Sequence, residues 1–287
     1  MKMSYRRVLT VQDISCLGQC SATVALPVLS VCGHETVVLP SSVLSTHTTA
    51  FTGYTFTDLS ALMPAIARHW QQLGISFDAV YTGYQGNREQ IECVKNIINS
   101  RLCSHRLVIV DPAMADNGRL YPGFDEDFVN SMKSLCSMAD YILPNITEAC
   151  LMTGIEYREK YDEEYIKRLL AGLQETGAAN IVLTGVSLDD GTTGAAMLVE
   201  GHYSRHSHRR LPFSCHGTGD LFASAFTGCL VAGMTAQAAV AAASDFVLDS
   251  MLETASRPEH YYGPVFEPGL TGISDRIKKY ITDGDNL

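Results

Sequence analysis

The chain has 287 residues, of which 46% are hydrophobic and 18% are charged, and its formal net charge is −10. This composition is typical of a globular protein with a sizeable core, and the acidic balance argues against a protein that binds the phosphate backbone of nucleic acids. The sequence has no apolar run of about 18 residues, the length that a membrane-spanning helix needs. Its nine cysteines show no Cys-x-x-Cys spacing. We therefore expect a cytoplasmic protein with reduced thiols and with neither nucleic-acid nor membrane partners.

Short β-branched runs alternate with longer helical patterns along the chain. Strands are predicted at residues 8–12, 35–39, 79–82, 107–110, 141–143 and 181–183. Helices are predicted between them at residues 17–32 (interrupted by Pro27), 59–73 (with Asp58 as N-cap), 88–99, 128–138 and 165–175. This order predicts an α/β protein with a mainly parallel central sheet and helices on both faces.

The last third of the chain has a different pattern. Residues 194–199 and 203–213 predict shorter, more exposed strands that pair antiparallel. Ala-rich helices are predicted at residues 221–232 and 236–252, with Gly233 as the stop between them, and an amphipathic helix at residues 275–280. The sequence has no internal repeat, low-complexity tract or linker, which predicts a single domain over residues 1–287.

Polar residues and glycines follow the predicted strands, at the edge where open parallel sheets bind ligands. The strongest signal is Gly217-Thr218-Gly219-Asp220, directly ahead of a helix. Glycines let the backbone turn tightly, and the N–H groups at a helix start form an anion hole suited to a phosphoryl group in transfer. Asp220 would accept the proton of the attacking hydroxyl. Taken alone, this short motif is as compatible with an ordinary turn and helix cap.

Carboxylates also follow other predicted strands, at Asp111, Asp116 and Glu148. Mg²⁺ is usually held through one or two carboxylates, waters and substrate phosphates, and Asp111 with Asn145 and Glu148 fits that task. Each of these positions alone is typical of a turn. Their occurrence together with the glycine-rich motif favours a phosphoryl-transfer site.

Five stretches of the chain resemble a known family, namely residues 45–48, 82–84, 111–116, 144–148 and 217–220. On these motifs the chain resembles the ribokinase-like superfamily and, within it, the pyridoxal/pyridoxamine kinases of vitamin B6 salvage. The resemblance covers about residues 8–247. It implies a three-layer α/β fold, ATP and Mg²⁺ as cofactors, a homodimer, and phosphorylation of the 5′-hydroxymethyl group of a B6 vitamer. It leaves a requirement for a monovalent cation such as K⁺ open.

The resemblance also implies a role for each site residue. Asp220 would be the base, beside an anion hole formed by Gly217, Thr218 and Gly219. The residues implied around ATP and the metal are Asp111, Asp116, Asn145, Glu148 and Thr184, with Asp111 and Glu148 nearest the metal and Leu211 and Phe213 near the adenine. The residues implied around the pyridine ring are Asp13, His47, Thr48, Tyr84 and Tyr121, with Tyr84 stacking near the ring.

Three positions depart from the family pattern. Asp13 stands where many pyridoxal kinases have a serine, Thr46 replaces an asparagine, and Leu143 replaces a threonine. A carboxylate at Asp13 would favour a substrate that carries an amine, such as pyridoxamine.

Other functions stay open at this point. They are a hydroxymethylpyrimidine kinase of thiamine synthesis, a sugar kinase of the same superfamily, and a non-catalytic vitamin-binding protein. Many pyrimidine kinases carry cysteine at the position of Asp220, and a non-catalytic protein would have no need of this carboxylate. The basic cluster over residues 202–210 is interpreted as a solvated hairpin, with a flap that attracts ATP phosphates as the alternative.

Overall fold

Strands and helices alternate through residues 5–103 and 107–284, which are the residues described by a computed structural model. The strands are β1 (Arg7–Leu17), β2 (Glu35–Thr46), β3 (Phe56–Asp58), β4 (Ala79–Thr82), β5 (Leu107–Val110), β6 (Ala115–Asp116), β7 (Arg119–Leu120), β8 (Tyr141–Ile142), β9 (Asn180–Val186), β10 (Thr192–Val199) and β11 (His202–Arg209). The α-helices are α1 (Ala22–Val31), α2 (Met63–Gln72), α3 (Arg88–Ile98), α4 (Glu126–Cys136), α5 (Ile146–Thr153), α6 (Glu163–Glu175), α7 (Thr218–Val231), α8 (Ala236–Ala255) and α9 (Leu270–Gly284).

The central sheet has the strand order β11-β10-β9-β8-β5-β4-β1-β2-β3, and β6 pairs with β7 in a separate hairpin. The strands from β9 to β2 in that order pair in parallel. The edge strands β3, β10 and β11 pair antiparallel with their neighbours. The prediction of a mainly parallel sheet with an antiparallel C-terminal hairpin is therefore confirmed.

Two hydrophobic cores lie on opposite faces of the sheet, because successive side chains of a strand point to opposite faces. On β4, Val80 packs into the core with α2 to α6, whereas Tyr81 packs into the core with α1, α7, α8 and α9. Both side chains are fully buried, and burying an aliphatic side chain such as that of Val80 stabilises a fold by about 1.5–3 kcal/mol. The three-layer α/β arrangement is confirmed.

The first strand is longer than predicted, and the first helix starts later. β1 continues to Leu17, with a register shift between Gln12 and Ile14, and pairs with β2 as far as Thr46. The prediction of a helix from residue 17 is wrong, because pairing with β2 overrides the local helical pattern. The helix begins at Ala22 and runs through Pro27 without a break.

Asp58 was predicted as the N-cap of the second helix, and this prediction is wrong. α2 begins at Met63, with Pro64 in its first turn, where a missing N–H costs no helical hydrogen bond. The Asp58 carboxylate instead accepts hydrogen bonds from the backbone N–H of Ser60 (2.8 Å) and from Nε2 of Gln90 (2.9 Å). Asp58 therefore ties β3 to α3.

The C-terminal helices agree with the prediction apart from their bounds. Gly233 has φ 98° and donates its N–H to the carbonyl oxygen of Leu230 (3.0 Å), so it terminates α7 as expected. The predicted strand at residues 203–213 ends at Arg209, and the chain then turns into the loop before α7. Within residues 5–103 and 107–284, no helix combines the length and apolar character that crossing a bilayer demands.

Candidate active site

A cleft of about 860 Å³ lies at the carboxyl edge of the parallel strands. Most of the predicted site residues line it, although they come from distant parts of the chain. They are Asp111, Asp116, Tyr121, Asn145, Glu148, Thr184, Leu211, Phe213, Gly217, Thr218, Gly219 and Asp220.

The first turn of α7 faces this cleft. Its N-cap, Gly217, has φ 88° and provides no side-chain hydrogen bond to the helix start. A Cβ added to Gly219 would meet no atom within 4 Å, so space is open at this residue. Uncapped N–H groups beside an open space can hold an anion.

Asp220 lies in the same first turn, and burial raises its pKa to about 7. The backbone N–H of Ser21 donates to this carboxylate and lowers the pKa, whereas the nearby Asp13 raises it. A carboxyl group with a pKa near 7 can both accept and release a proton at neutral pH.

The two acids predicted to hold a metal have different surroundings. Glu148 forms a capping box with Asn145: its Oε2 accepts the N–H of Asn145 (2.8 Å) and its Oε1 that of Met114 (3.1 Å). Asp111 is also buried, and its pKa is raised by burial and then by Glu148 and Asp220. Backbone N–H groups thus hold both carboxylate oxygens of Glu148. Asp111 is therefore the better candidate of the two for binding a metal ion.

The described part of the chain contains no group of three or more His, Cys, Asp or Glu side chains arranged to hold a metal ion. Mg²⁺ does not need such a group, because it keeps several waters and takes further oxygens from substrate phosphates. The buried carboxylate of Asp111, facing two other acids, fits a divalent cation, since a cation would offset this concentration of negative charge.

Asp116 and Tyr121 flank the β6–β7 hairpin. Asp116 is exposed and accepts the backbone N–H of Asn117 (2.8 Å). The pKa of Tyr121 is raised, mainly by burial and to a smaller extent by the charges of Glu148 and Asp116. Tyr121 therefore faces the cleft as a neutral phenol.

The other predicted substrate residues lie outside the cleft lining: Asp13 within β1 at its register shift, His47 and Thr48 directly after β2, and Tyr84 after β4. Asp13 is 4% exposed and accepts a hydrogen bond from the hydroxyl of Ser15 (2.9 Å). Thr48 is exposed. Tyr84 stacks on Phe124 with ring centroids 5.7 Å apart, so the protein itself covers part of the Tyr84 ring.

His47 is held by backbone groups on both ring nitrogens. Its Nε2 lies 2.9 Å from the carbonyl oxygen of Tyr262, and its Nδ1 accepts the N–H of Thr49 (3.3 Å). Because a carbonyl oxygen only accepts, the proton of the ring is on Nε2. The ring therefore links the loop after β2 to the segment before α9, and neither nitrogen is free for a ligand.

Some residues of the cleft were missed or assigned differently from sequence. The side chains of Ser244, Val247, Leu248 and Met251 on α8 form one wall, and their i, i+3, i+4, i+7 spacing was a usable signal. His208, Arg209 and Arg210 also line the cleft. His208 and Arg209 end β11 and Arg210 follows it, so the end of the predicted hairpin also forms part of the cleft wall.

Curated relatives align with part of the chain. A hydroxymethylpyrimidine/phosphomethylpyrimidine kinase of Haemophilus influenzae is 32% identical over 171 residues, which is 58% of this chain and 61% of the relative. A pyridoxine/pyridoxal/pyridoxamine kinase of Bordetella avium is 32% identical over 184 residues, which is 60% of this chain and 59% of the relative. The matched region thus spans about three fifths of each of these relatives.

Solved structures match nearly the whole chain. A pyridoxal kinase of Lactobacillus plantarum is 33% identical with a TM-score of 0.86, covering 94% of this chain and 97% of that one. A Bacteroides thetaiotaomicron protein, named for phosphomethylpyrimidine kinase and crystallised with pyridoxal, is 33% identical with a TM-score of 0.88, covering 94% and 96%. The sequence profile of the phosphomethylpyrimidine kinases matches residues 28–266. With this match over most of its length, the chain belongs to the phosphomethylpyrimidine kinase family, and the relatives named here are kinases.

Proposed function

We propose that the protein transfers the γ-phosphoryl group of ATP to the 5′-hydroxymethyl group of B6 vitamers. The observation that carries this proposal is the position of Asp220 in the uncapped first turn of α7, where a proton acceptor and an anion site share one cleft. The likeness to a pyridoxal kinase and to a structure crystallised with pyridoxal supports the choice of substrate. We expect the enzyme to act as a cytoplasmic homodimer of single-domain subunits.

In the proposed reaction, Asp220 accepts the proton of the hydroxymethyl group as its oxygen attacks phosphorus. The N–H groups of the first turn of α7 hold the equatorial oxygens of the phosphoryl group and stabilise the charge that develops there. Asp111 would hold Mg²⁺, which offsets the negative charge of the phosphates when it is bound.

The other end of the cleft suits the nucleotide. The apolar wall of α8 and the side chains of Leu211 and Phe213 lie along the cleft and offer an apolar surface for the adenine ring. Arg209 and Arg210 line the same cleft and provide positive charge for the phosphates, in a chain whose formal net charge is −10.

A second candidate is phosphorylation of hydroxymethylpyrimidine. The family name and the Haemophilus influenzae relative favour it. Both candidate substrates carry a hydroxymethyl group on an aromatic nitrogen heterocycle, so Asp220 would serve the same role in either reaction. A non-catalytic vitamin-binding role would leave the carboxylate of Asp220 without a function.

A coupled ADP-release assay with ATP and Mg²⁺ tests the proposal against pyridoxal, pyridoxine, pyridoxamine, hydroxymethylpyrimidine and simple sugars. We expect turnover with at least one B6 vitamer and a phosphorylated product by mass spectrometry. Asp220→Ala should lower kcat by about 100-fold or more while nucleotide binding stays near that of the wild type. Turnover of none of the vitamers, or near-normal turnover in Asp220→Ala, would refute the proposal.

A further inference from the structure

The end of β9 carries a β-bulge in the wall of the cleft. The pairing of β9 with β10 aligns Thr184 with Ala195. It then aligns Val186 with Gly194, which leaves Gly185 as an extra residue in the ladder. Gly185 has φ 71°, in the left-handed region that favours glycine, and it lines the cleft beside Thr184. Because a bulge interrupts the pairing and redirects the strand locally, the shape of the cleft wall depends on the groups that hold Gly185.

A phenol hydroxyl from the loop between α5 and α6 holds this bulge. The hydroxyl of Tyr161 donates to the carbonyl oxygen of Gly185 (3.3 Å) and accepts the backbone N–H of Ser187 (3.0 Å). A phenol can do both at once only while it keeps its proton, and burial raises the pKa of Tyr161 above its ordinary value. Tyr161 itself does not line the cleft. It therefore supports the cleft wall from outside the cleft, through two backbone groups.

The ring of Tyr161 is fixed by the start of α6. Asp162 caps this helix by accepting the N–H of Tyr165 (2.9 Å), and the rings of Tyr161 and Tyr165 stack with their centroids 5.5 Å apart. Tyr165 is buried, and its hydroxyl donates to the carbonyl oxygen of Glu156 (2.8 Å). Holding the Tyr161 hydroxyl at the bulge thus costs little further side-chain entropy, because the ring is already packed.

The bulge adjoins the charged part of the cleft. Thr184 forms a parallel bridge with Asn145, which caps the start of α5. Glu148 from α5 and Arg210 after β11 line the cleft together with Gly185. Phosphates that are attracted by Arg210, and by a divalent cation at the acids, would lie along this part of the wall. A change in the shape of the bulge would therefore be felt where a nucleotide carries its charge.

We propose that Tyr161 is a positioning residue for nucleotide binding, because its hydroxyl keeps the Gly185 bulge in the shape that the nucleotide requires. This inference rests on the ATP part of the proposed function and does not depend on which alcohol accepts the phosphoryl group. Glycine has a wide range of backbone conformations, so without the hydroxyl the bulge is free to leave this shape. Only the fraction of molecules that keeps the shape then binds nucleotide well, and the apparent affinity falls by that fraction.

The test uses Tyr161→Phe, which keeps the stacked ring and removes one hydroxyl, so the variant should fold. Tyr165→Phe is the matched control, because the partners of its hydroxyl, the carbonyl oxygen of Glu156 and the thiol of Cys150, lie outside the cleft lining. Calorimetry gives the dissociation constant of the ATP analogue AMP-PCP with Mg²⁺ in the absence of any alcohol. We expect about fivefold weaker binding in Tyr161→Phe, as the loss of one hydrogen bond would give, and a change of less than about twofold in Tyr165→Phe.

Steady-state kinetics give a second measurement. With the accepted alcohol at saturation, KM for ATP should rise by about fivefold in Tyr161→Phe, while kcat stays near that of the wild type. A fall in kcat with an unchanged KM for ATP would place the effect in the chemical step and overturn the inference.

The binding results separate the inference from the proposed function. Equal affinity for AMP-PCP in the wild type and in folded Tyr161→Phe overturns the role of Tyr161 and leaves the kinase proposal intact. Equal weakening in both variants, at a similar loss of melting temperature, also overturns it, because general loosening then explains the effect. Weaker binding in Tyr161→Phe alone supports the inference, even where no B6 vitamer is turned over and the substrate assignment fails. A wild type that does not bind AMP-PCP overturns both.

Discussion

The backbone of Gly217 packs directly against the carbonyl oxygen of Gln19, so closely that a Cβ added to Gly217 would overlap that oxygen. This contact joins the first turn of α7 to the segment between β1 and α1. Gly217 also has φ 88°, in the left-handed region that favours glycine. Two independent features of the backbone thus require glycine at the N-cap of α7.

Gly217→Ala should therefore destabilise the protein by about 1–3 kcal/mol, since it combines left-handed strain with a steric overlap. Gly219→Ala is the matched control, because a Cβ there meets no atom within 4 Å. We expect Gly219→Ala to keep the melting temperature but to lower kcat, since its methyl group enters the proposed phosphate space. Denaturant unfolding and steady-state kinetics on both variants check this, and equal stability of the two would contradict it.

The activity should rise with pH through about 7, because Asp220 must be ionised to accept a proton and burial raises its pKa to about 7. The measurement is kcat/KM for the vitamer from pH 5.5 to pH 8.5, which reports ionisations of the free enzyme and free substrate. The acidic side of the pH profile should be the same for pyridoxine and pyridoxamine. Agreement between the two substrates would assign this ionisation to the enzyme and not to the substrate. A flat profile across this range would exclude Asp220 as the base.

Asp220→Asn should stabilise the protein at alkaline pH while it removes activity. The folded-state pKa of Asp220 is about 7, above the value of about 3.9 for an unfolded chain, so the folded state binds the proton more tightly. The stability that this group contributes is present below pH 4 and is lost as the pH rises through 7. The gain from Asp220→Asn should therefore be larger at pH 8 than at pH 5, with an upper bound of about 4 kcal/mol. Melting curves at the two pH values check the sign, and a loss of stability at pH 8 would contradict it.

Arg209→Ala should raise KM for ATP by about fivefold, as expected for about 1 kcal/mol of attraction to the phosphates in a solvent-accessible site. Arg205→Ala is the matched control, because Arg205 lies on the same strand, is exposed, and does not line the cleft. The effect of Arg209→Ala should shrink as salt screens the charge. Equal KM values for the two variants would show that Arg209 does not contact the nucleotide.

The element order was predictable from sequence because each buried strand and amphipathic helix carries its own pattern. Leu107 to Val110 is a short apolar run that predicts a strand covered on both faces, and β5 has those bounds. The end of β1 was not predictable in this way. Residues 13–17 join the sheet because β2 lies beside them, and this pairing is not encoded in their local pattern.

The candidate site likewise contains residues that the local sequence predicts and residues that only folding brings to the site. Gly217-Thr218-Gly219-Asp220 carries a local signal, because glycines at a helix start let the backbone turn tightly and present its N–H groups to an anion. His47 carries no such signal, since the carbonyl oxygen that holds its ring belongs to Tyr262, more than 200 residues away. The Asn145 and Glu148 capping box lies between these cases, because its spacing is visible in the sequence and its geometry is not.

The amino-acid sequence alone determined the layered α/β fold, the motif with Asp220, and the set of acids at the strand ends, because these follow from periodicity and local backbone chemistry. Only the tertiary structure decided which carboxylates are free and which are tied to the backbone. That distinction depends on distant partners: Met114, directly before β6, donates its N–H to Glu148, whereas Asp13 meets neutral hydroxyls and a second acid. The charge that a buried group keeps is set by the neighbours that folding brings to it.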